Sequence, residues 1–146
     1  MNDITSYMLE QTKKILSIDS PTGFTAHAAE YVLGAYKKLG YDAKLTNKGG
    51  IFVCVNDGPD QADDPADAPI LLEAHMDTLG GMVCSINEKG RLMLSALGGM
   101  NPNNAEAENC RVYTRSGKVY SGTFQLKNAS IHVNGSYNDT ARSYDA

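Results

Sequence analysis

An apolar run that ends in a histidine and an aspartate decides the fold predicted for this chain: Ile70-Leu71-Leu72-Glu73-Ala74-His75-Met76-Asp77. The run 70–74 is typical of a strand buried on both faces, as in the sheet of an α/β domain. Such a strand delivers His75 and Asp77 to its carboxyl end, where α/β sheets usually bind ligands. Residues two apart on a strand point to the same side, so the two side chains can meet.

The His-x-Asp spacing is compatible with a metal site but does not require one. Imidazole is a common ligand of zinc and similar ions. A nearby carboxylate can accept the other ring N–H, which fixes the tautomer and raises the basicity of the ligand. A purely structural pair, in which the histidine ends a strand and the aspartate starts a turn, gives the same spacing. The residues themselves leave both interpretations open.

The segments before this run predict two helices and a pair of strands. Apolar residues at helical spacing favour a helix over 4–18, and a second helix fits 25–39. An edge strand over 41–46 and a buried strand over 51–55 follow. Residues 56–69, with five aspartates, are predicted to form a solvated loop, since the glycine of an EF-hand calcium loop is absent.

The segments after Asp77 predict β-structure without any helix. Two hairpins and a last strand are expected, at 82–87 with 91–96, at 111–114 with 119–125, and at 129–133. Glycines interrupt these runs as they do in small curved barrels. We therefore expect an α/β part over 1–77 and a β-rich part over 78–146.

The composition excludes several classes of protein. The chain has 146 residues, is 42% hydrophobic and 21% charged, and carries a net charge of −4. An acidic chain of this kind argues against a general nucleic-acid binder. No apolar stretch is long enough to span a bilayer, and the N-terminus lacks the pattern of a secretory signal. Three cysteines without a CxxC spacing fit a cytoplasmic protein better than a disulfide framework.

Several short motifs, in order along residues 16–133, resemble the tetrahedral-aminopeptidase family, the glutamyl-aminopeptidase or cellulase-like metallopeptidases. The motifs that carry the resemblance are Ser20-Pro21-Thr22-Gly23, Leu72 to Asp77, Gly80-Gly81-Met82-Val83, Leu97-Gly98-Gly99-Met100, Glu106-Ala107-Glu108-Asn109, Gly117 to Thr123 and Ser130-Ile131-His132-Val133. The resemblance implies a mixed-sheet α/β catalytic domain that begins in 1–77. It also implies a small β-barrel-like inserted domain of the dimerisation type, incomplete, in 78–146.

The resemblance implies a metal-dependent aminopeptidase that acts on short peptides. His75 would be a ligand in a site of two divalent ions, zinc or cobalt, and Asp77 would orient it. Two such ions can polarise the scissile carbonyl and activate a water. The family's further ligands and its general-base glutamate lie beyond the part that the chain matches, so we expect an N-terminal fragment that is inactive by itself. Assembly into a dimer or dodecamer through the inserted domain is also implied.

Two other classes of function stay open beside the aminopeptidase. The chain could be a β-rich self-association module without catalysis, or part of a related di-metal carboxypeptidase or deacylase.

His27 is expected to face solvent, and His132 is expected on a strand. In the family that the chain resembles, a histidine of the inserted domain reaches the active site of a neighbouring subunit. Glu106 and Glu108 flank Ala107 in a polar loop, and acid–base chemistry by this pair of carboxylates would need a cleft and a raised pKa.

Overall fold

The computed structural model of the protein describes residues 3–55 and 70–144. The chain divides into two compact units, Met1–Thr78 and Leu79–Ala146. The aspartate-rich loop predicted over 56–69 lies outside the described residues. None of the helices among the described residues is long and apolar enough to cross a membrane.

The described residues of the first unit, 3–55 and 70–78, form two helices and one short hairpin. Helix α1 spans Asp3–Leu16 and helix α2 spans Ala26–Lys38, which confirms both predicted helices within a few residues. Gly40 has φ +90°, a left-handed conformation that glycine adopts without cost at the end of a helix. Strands β1, Lys44–Leu45, and β2, Ile51–Phe52, pair antiparallel, and α2 packs on both.

The part of the second unit that the structure describes, residues 79–144, forms two hairpins and one short helix. Strand β3, Gly80–Ile86, pairs with β4, Leu92–Leu97, and β5, Asn109–Tyr113, pairs with β6, Val119–Thr123. Both predicted hairpins are thus confirmed. Helix α3, Pro102–Ala105, lies between them and was not predicted. Asn101 caps it by accepting from the N–H of Asn103 at 3.0 Å, and Pro102 occupies the first helical position.

Two predicted strands are wrong. The apolar segment 70–74 has no strand pairing in the described structure, and Ile70 and Leu72 are 87% and 90% exposed. In the predicted strand over 129–133, residues 131–133 form a turn and 129–130 have no regular structure. A strand exists only where a neighbour supplies its hydrogen bonds, and among the described residues neither segment has one.

The described core is thin. The buried apolar residues are all alanines, Ala28, Ala29, Ala43 and Ala105, while many large apolar side chains are exposed. The predicted strand over 51–55 shortens to β2 and is not buried on both faces, since Phe52 and Val55 are more than half exposed. The chain is a mixed α/β protein with short antiparallel sheets. Each described sheet has two strands, and none closes into a barrel.

Candidate metal centre at the end of the apolar segment

His75 and Asp77 are in contact. The Nδ1 atom of His75 lies 3.0 Å from the backbone carbonyl oxygen of Asp77 and 3.2 Å from its Oδ1. A carbonyl oxygen can only accept a hydrogen bond, so Nδ1 carries the proton and donates. In the neutral ring the lone pair is then on Nε2. The His75 side chain is 86% exposed, so this lone pair is open to a ligand.

The other carboxylate oxygen of Asp77 is held by Thr22. The Oγ1 hydroxyl of Thr22 donates to Asp77 Oδ2 at 2.7 Å. This hydrogen bond is the largest cause that holds the pKa of Asp77 below its ordinary value, and His75 adds to the lowering. Asp77 is therefore an ionised acceptor at neutral pH, with one oxygen for each partner.

The backbone brings Thr22 and Asp77 together. The N–H of Thr78 donates to the carbonyl oxygen of Ser20 at 2.7 Å, and Pro21 forms a parallel bridge with Thr78. The N–H of Phe24 donates to the carbonyl of Pro21 at 2.7 Å, and Gly23 between them has φ +86°. This turn fixes Thr22 beside Asp77, although the two residues are 55 positions apart in the sequence.

The sequence predicted part of this cluster. The contact between His75 and Asp77 is present as predicted, but the strand from which it was predicted does not form. The motif that contains Thr22 contributes to the family resemblance, and the sequence predicts no role for its hydroxyl. No local periodicity relates Thr22 to Asp77, so only knowledge of the tertiary fold could have paired them.

The other two histidines, His27 and His132, have surroundings that differ from those of His75. His27 is exposed at the start of α2, as predicted, and its ring packs edge-on against Phe24 at 5.8 Å between centroids. His132 is exposed in a turn and not on the predicted strand, and its backbone N–H donates to Ser130 Oγ at 3.2 Å. Within residues 3–55 and 70–144 there is no group of three or more histidine, cysteine or acidic side chains placed to hold a metal ion.

Glu106 belongs to a closed ion pair in the second unit. Arg142 Nε donates to Glu106 Oε2 at 2.7 Å, and the Tyr137 hydroxyl donates to Oε1 at 3.0 Å. The side chains of Arg142 and Glu106 are only 16% and 17% exposed. The hydrogen bond from Arg142 is the largest cause that lowers the pKa of Glu106. A general acid needs the opposite shift, so this geometry disfavours acid–base chemistry at Glu106.

Comparison with known proteins identifies similar sequences. The sequence model of the M42 glutamyl aminopeptidase family matches residues 50–144. The protein YhfE of Bacillus subtilis (strain 168), whose name proposes an aminopeptidase, is 36% identical over 125 residues, which are 86% of this chain and 34% of that protein. The glutamyl aminopeptidase of Lactococcus lactis subsp. cremoris (strain MG1363) is 32% identical over 112 residues, which are 76% of this chain and 30% of that protein. The matched part of the chain spans about a third of the length of these curated relatives.

Proposed function

Because the chain belongs to the M42 glutamyl aminopeptidase family, we propose that it is the N-terminal portion of a metal-dependent hydrolase that removes N-terminal residues from short peptides. The observation that supports this most directly is the pair formed by His75 and Asp77. Its hydrogen bond leaves Nε2 of an exposed imidazole available as a ligand. We propose that the protein is located in the cytoplasm.

The chemistry of this pair fits one ligand position of a divalent metal site, with zinc or cobalt as the proposed ions. Metal-bound histidines usually donate their second ring N–H to a carboxylate or a carbonyl, and His75 Nδ1 has both acceptors in Asp77. A catalytic zinc generally has three protein ligands, and the described residues bring together no such group. We therefore propose His75 as one ligand of a set that further segments complete.

The role of this chain's residues in hydrolysis is to hold that ligand. When bound, two divalent ions polarise the scissile carbonyl and activate a water. Asp77 accepts at Nδ1–H of His75, which leaves Nε2 as the ring nitrogen for a ligand. Neither Asp77 nor Glu106 suits the role of general base for the water, since the pKa values of both are lowered.

A chimera tests this function. Residues 1–146 would replace the matching third of the Lactococcus lactis relative, and release of the first residue from a short peptide with N-terminal glutamate would be measured. We expect release that a chelator abolishes and that zinc or cobalt restores. His75→Ala should abolish it, while His27→Ala, at an exposed histidine of the same unit, should leave it intact. The chain by itself should release nothing.

Two results would contradict the proposal. One is a chimera that melts cooperatively but is inactive while the parent relative is active; the other is a His75→Ala chimera that is fully active. If the chimera does not fold, grafting only residues 70–78 into the relative keeps the test decisive. A peptide with a blocked N-terminus should be resistant, and removal of its last residue would instead indicate a carboxypeptidase.

A second role is proposed for the β-rich unit, which we interpret as an inserted, barrel-like domain that mediates self-association into a dimer or dodecamer. Several of its large apolar side chains are exposed, among them Met82, Ile86 and Val133, at 56%, 66% and 73%. Apolar surface of this kind gains stability when a partner covers it. Light scattering coupled to size-exclusion chromatography should give a multiple of the chain mass, and a strictly monomeric chain would contradict this role.

A further inference from the structure

We propose that Thr22 is a positioning residue, which fixes the carboxylate of Asp77 and so strengthens the preference of His75 for a proton on Nδ1, which the Asp77 carbonyl also favours. The inference rests on the proposed function, because it gives the hydroxyl a role toward the metal ligand. It concerns a residue that neither the His-x-Asp spacing nor a local motif relates to the site. Its support is the geometry of three side chains, Thr22, Asp77 and His75.

The two oxygens of Asp77 are divided between two donors. Oδ2 accepts from Thr22 Oγ1 at 2.7 Å, and Oδ1 lies 3.2 Å from His75 Nδ1, which is also 3.0 Å from the Asp77 carbonyl oxygen. A carboxylate that is bound at one oxygen only can rotate about its last torsion, which is a broad one. The second hydrogen bond removes that freedom. Thr22 therefore determines which oxygen faces the imidazole and at what angle.

The backbone around Thr22 is built to hold this position. Thr22 lies in the turn whose closing hydrogen bond runs from the Phe24 N–H to the Pro21 carbonyl. The bond from the Thr78 N–H to the Ser20 carbonyl ties this turn to the residue that follows Asp77. The first bond closes the turn that contains Thr22, and the second holds Thr78, the neighbour of Asp77 in the sequence. The hydroxyl is thus placed by the main chain and not by a long, flexible side chain.

The chemistry of a neutral hydroxyl suits this task. A lysine or arginine at the same place would neutralise Asp77 and weaken its attraction for the His75 N–H. Thr22 orients the carboxylate and leaves its charge for the histidine. A serine can donate the same hydrogen bond, whereas a valine has nearly the same shape and cannot donate at all.

The tautomer of His75 in residues 1–146 is the quantity to measure. Nitrogen-15 NMR at a pH where the ring is neutral distinguishes a proton on Nδ1 from one on Nε2. We expect Thr22→Val to lower the ratio of the Nδ1–H to the Nε2–H form by about twofold to tenfold, the factor that one hydrogen bond of ordinary net strength contributes to an equilibrium. Thr22→Ser should retain the wild-type ratio.

Thr25→Val is the matched control. Thr25 lies in the same stretch and makes no side-chain cap hydrogen bond to α2, so its replacement should leave the ratio unchanged. Protection of the Thr78 amide from hydrogen exchange reports whether the turn is intact, since that N–H bonds to Ser20. If Thr22→Val loses this protection, Thr22→Ala replaces it as the test variant.

A wild-type ratio in the variant that keeps the turn would overturn the proposal, as would an equal change in Thr22→Ser. This readout needs neither a metal nor activity. An inactive chimera together with a shifted tautomer would therefore refute the proposed function and leave the role of Thr22 standing. An active chimera with an unshifted tautomer would do the reverse.

Discussion

Asp77 and Glu106 are two carboxylates whose pKa values are both held below their ordinary values, yet their surroundings differ. Asp77 is bound by a neutral hydroxyl and faces an imidazole that is 86% exposed. Glu106 is bound by a permanent cation and a phenol, and both members of its ion pair are largely buried. The first arrangement leaves the Nε2 atom of His75 open to a ligand, while in the second the charged groups of Glu106 and Arg142 bind each other. A lowered pKa therefore does not distinguish a site from a structural pair, but the nature and exposure of the partners do.

The largest expected effect follows from replacing each carboxylate by an amide of nearly the same shape, which removes the charge of the side chain. Glu106→Gln should lower the midpoint of thermal unfolding of the second unit by on the order of 5 °C, because a nearly buried guanidinium loses its charged acceptor. Asp77→Asn should change the first unit far less, since Asp77 is 40% exposed and solvent screens its contacts. Hydrogen exchange followed along the chain assigns each effect to its unit.

Glu108→Gln is the matched control for this comparison. Glu108 is exposed two residues from Glu106, and its hydrogen bonds with Ala105 and Phe124 involve its backbone. We expect no change in the melting of the second unit. Equal destabilisation by Asp77→Asn and Glu106→Gln would break the contrast between an open and a closed carboxylate.

A smaller effect is expected in acid. A carboxylate whose pKa is lowered by folding contributes stability above its unfolded-state pKa, about 4.3 for glutamate, and that contribution is lost as the pH falls through the folded-state value. The second unit should thus keep its stability from pH 7 to about 5 and lose part of it below about pH 4. Denaturant midpoints measured across this range should fall less steeply in Glu106→Gln. An identical acid slope in both proteins would show that Arg142 does not stabilise the charged form.

The elements predicted correctly are those whose signals are local. The two hairpins of the second unit turn at Gly90 and Gly117, whose φ values of +75° and +81° glycine adopts readily. Helices α1 and α2 follow from apolar spacing and from the stop at Gly40. Helix α3 was missed because four residues are too few for periodicity, although Asn101 followed by Pro102 is a recognisable start.

The elements predicted wrongly depend on contacts between distant segments. The composition of 70–74 is that of a buried strand, but no described segment pairs with it or covers it. The candidate site shows the same division. The spacing of His75 and Asp77 is local and predicted their contact, whereas Thr22 reaches Asp77 through a turn that only the tertiary structure places there.

The smallest expected effect distinguishes the contribution of the Ser20 backbone from that of its side chain. Ser20 is 2% exposed. Its carbonyl accepts from the Thr78 N–H, but within the described part of the chain its Oγ has no hydrogen-bond partner. A buried hydroxyl without a partner costs free energy, so Ser20→Ala should leave the free energy of unfolding unchanged or raise it by up to about 1 kcal/mol. Urea unfolding at constant m measures this difference. The tautomer of His75 should stay as in the wild type, since Ser20 acts through its main chain and Thr22 through its hydroxyl. A loss of stability in Ser20→Ala would mean that the Ser20 hydroxyl, like that of Thr22, belongs to the hydrogen-bonded site.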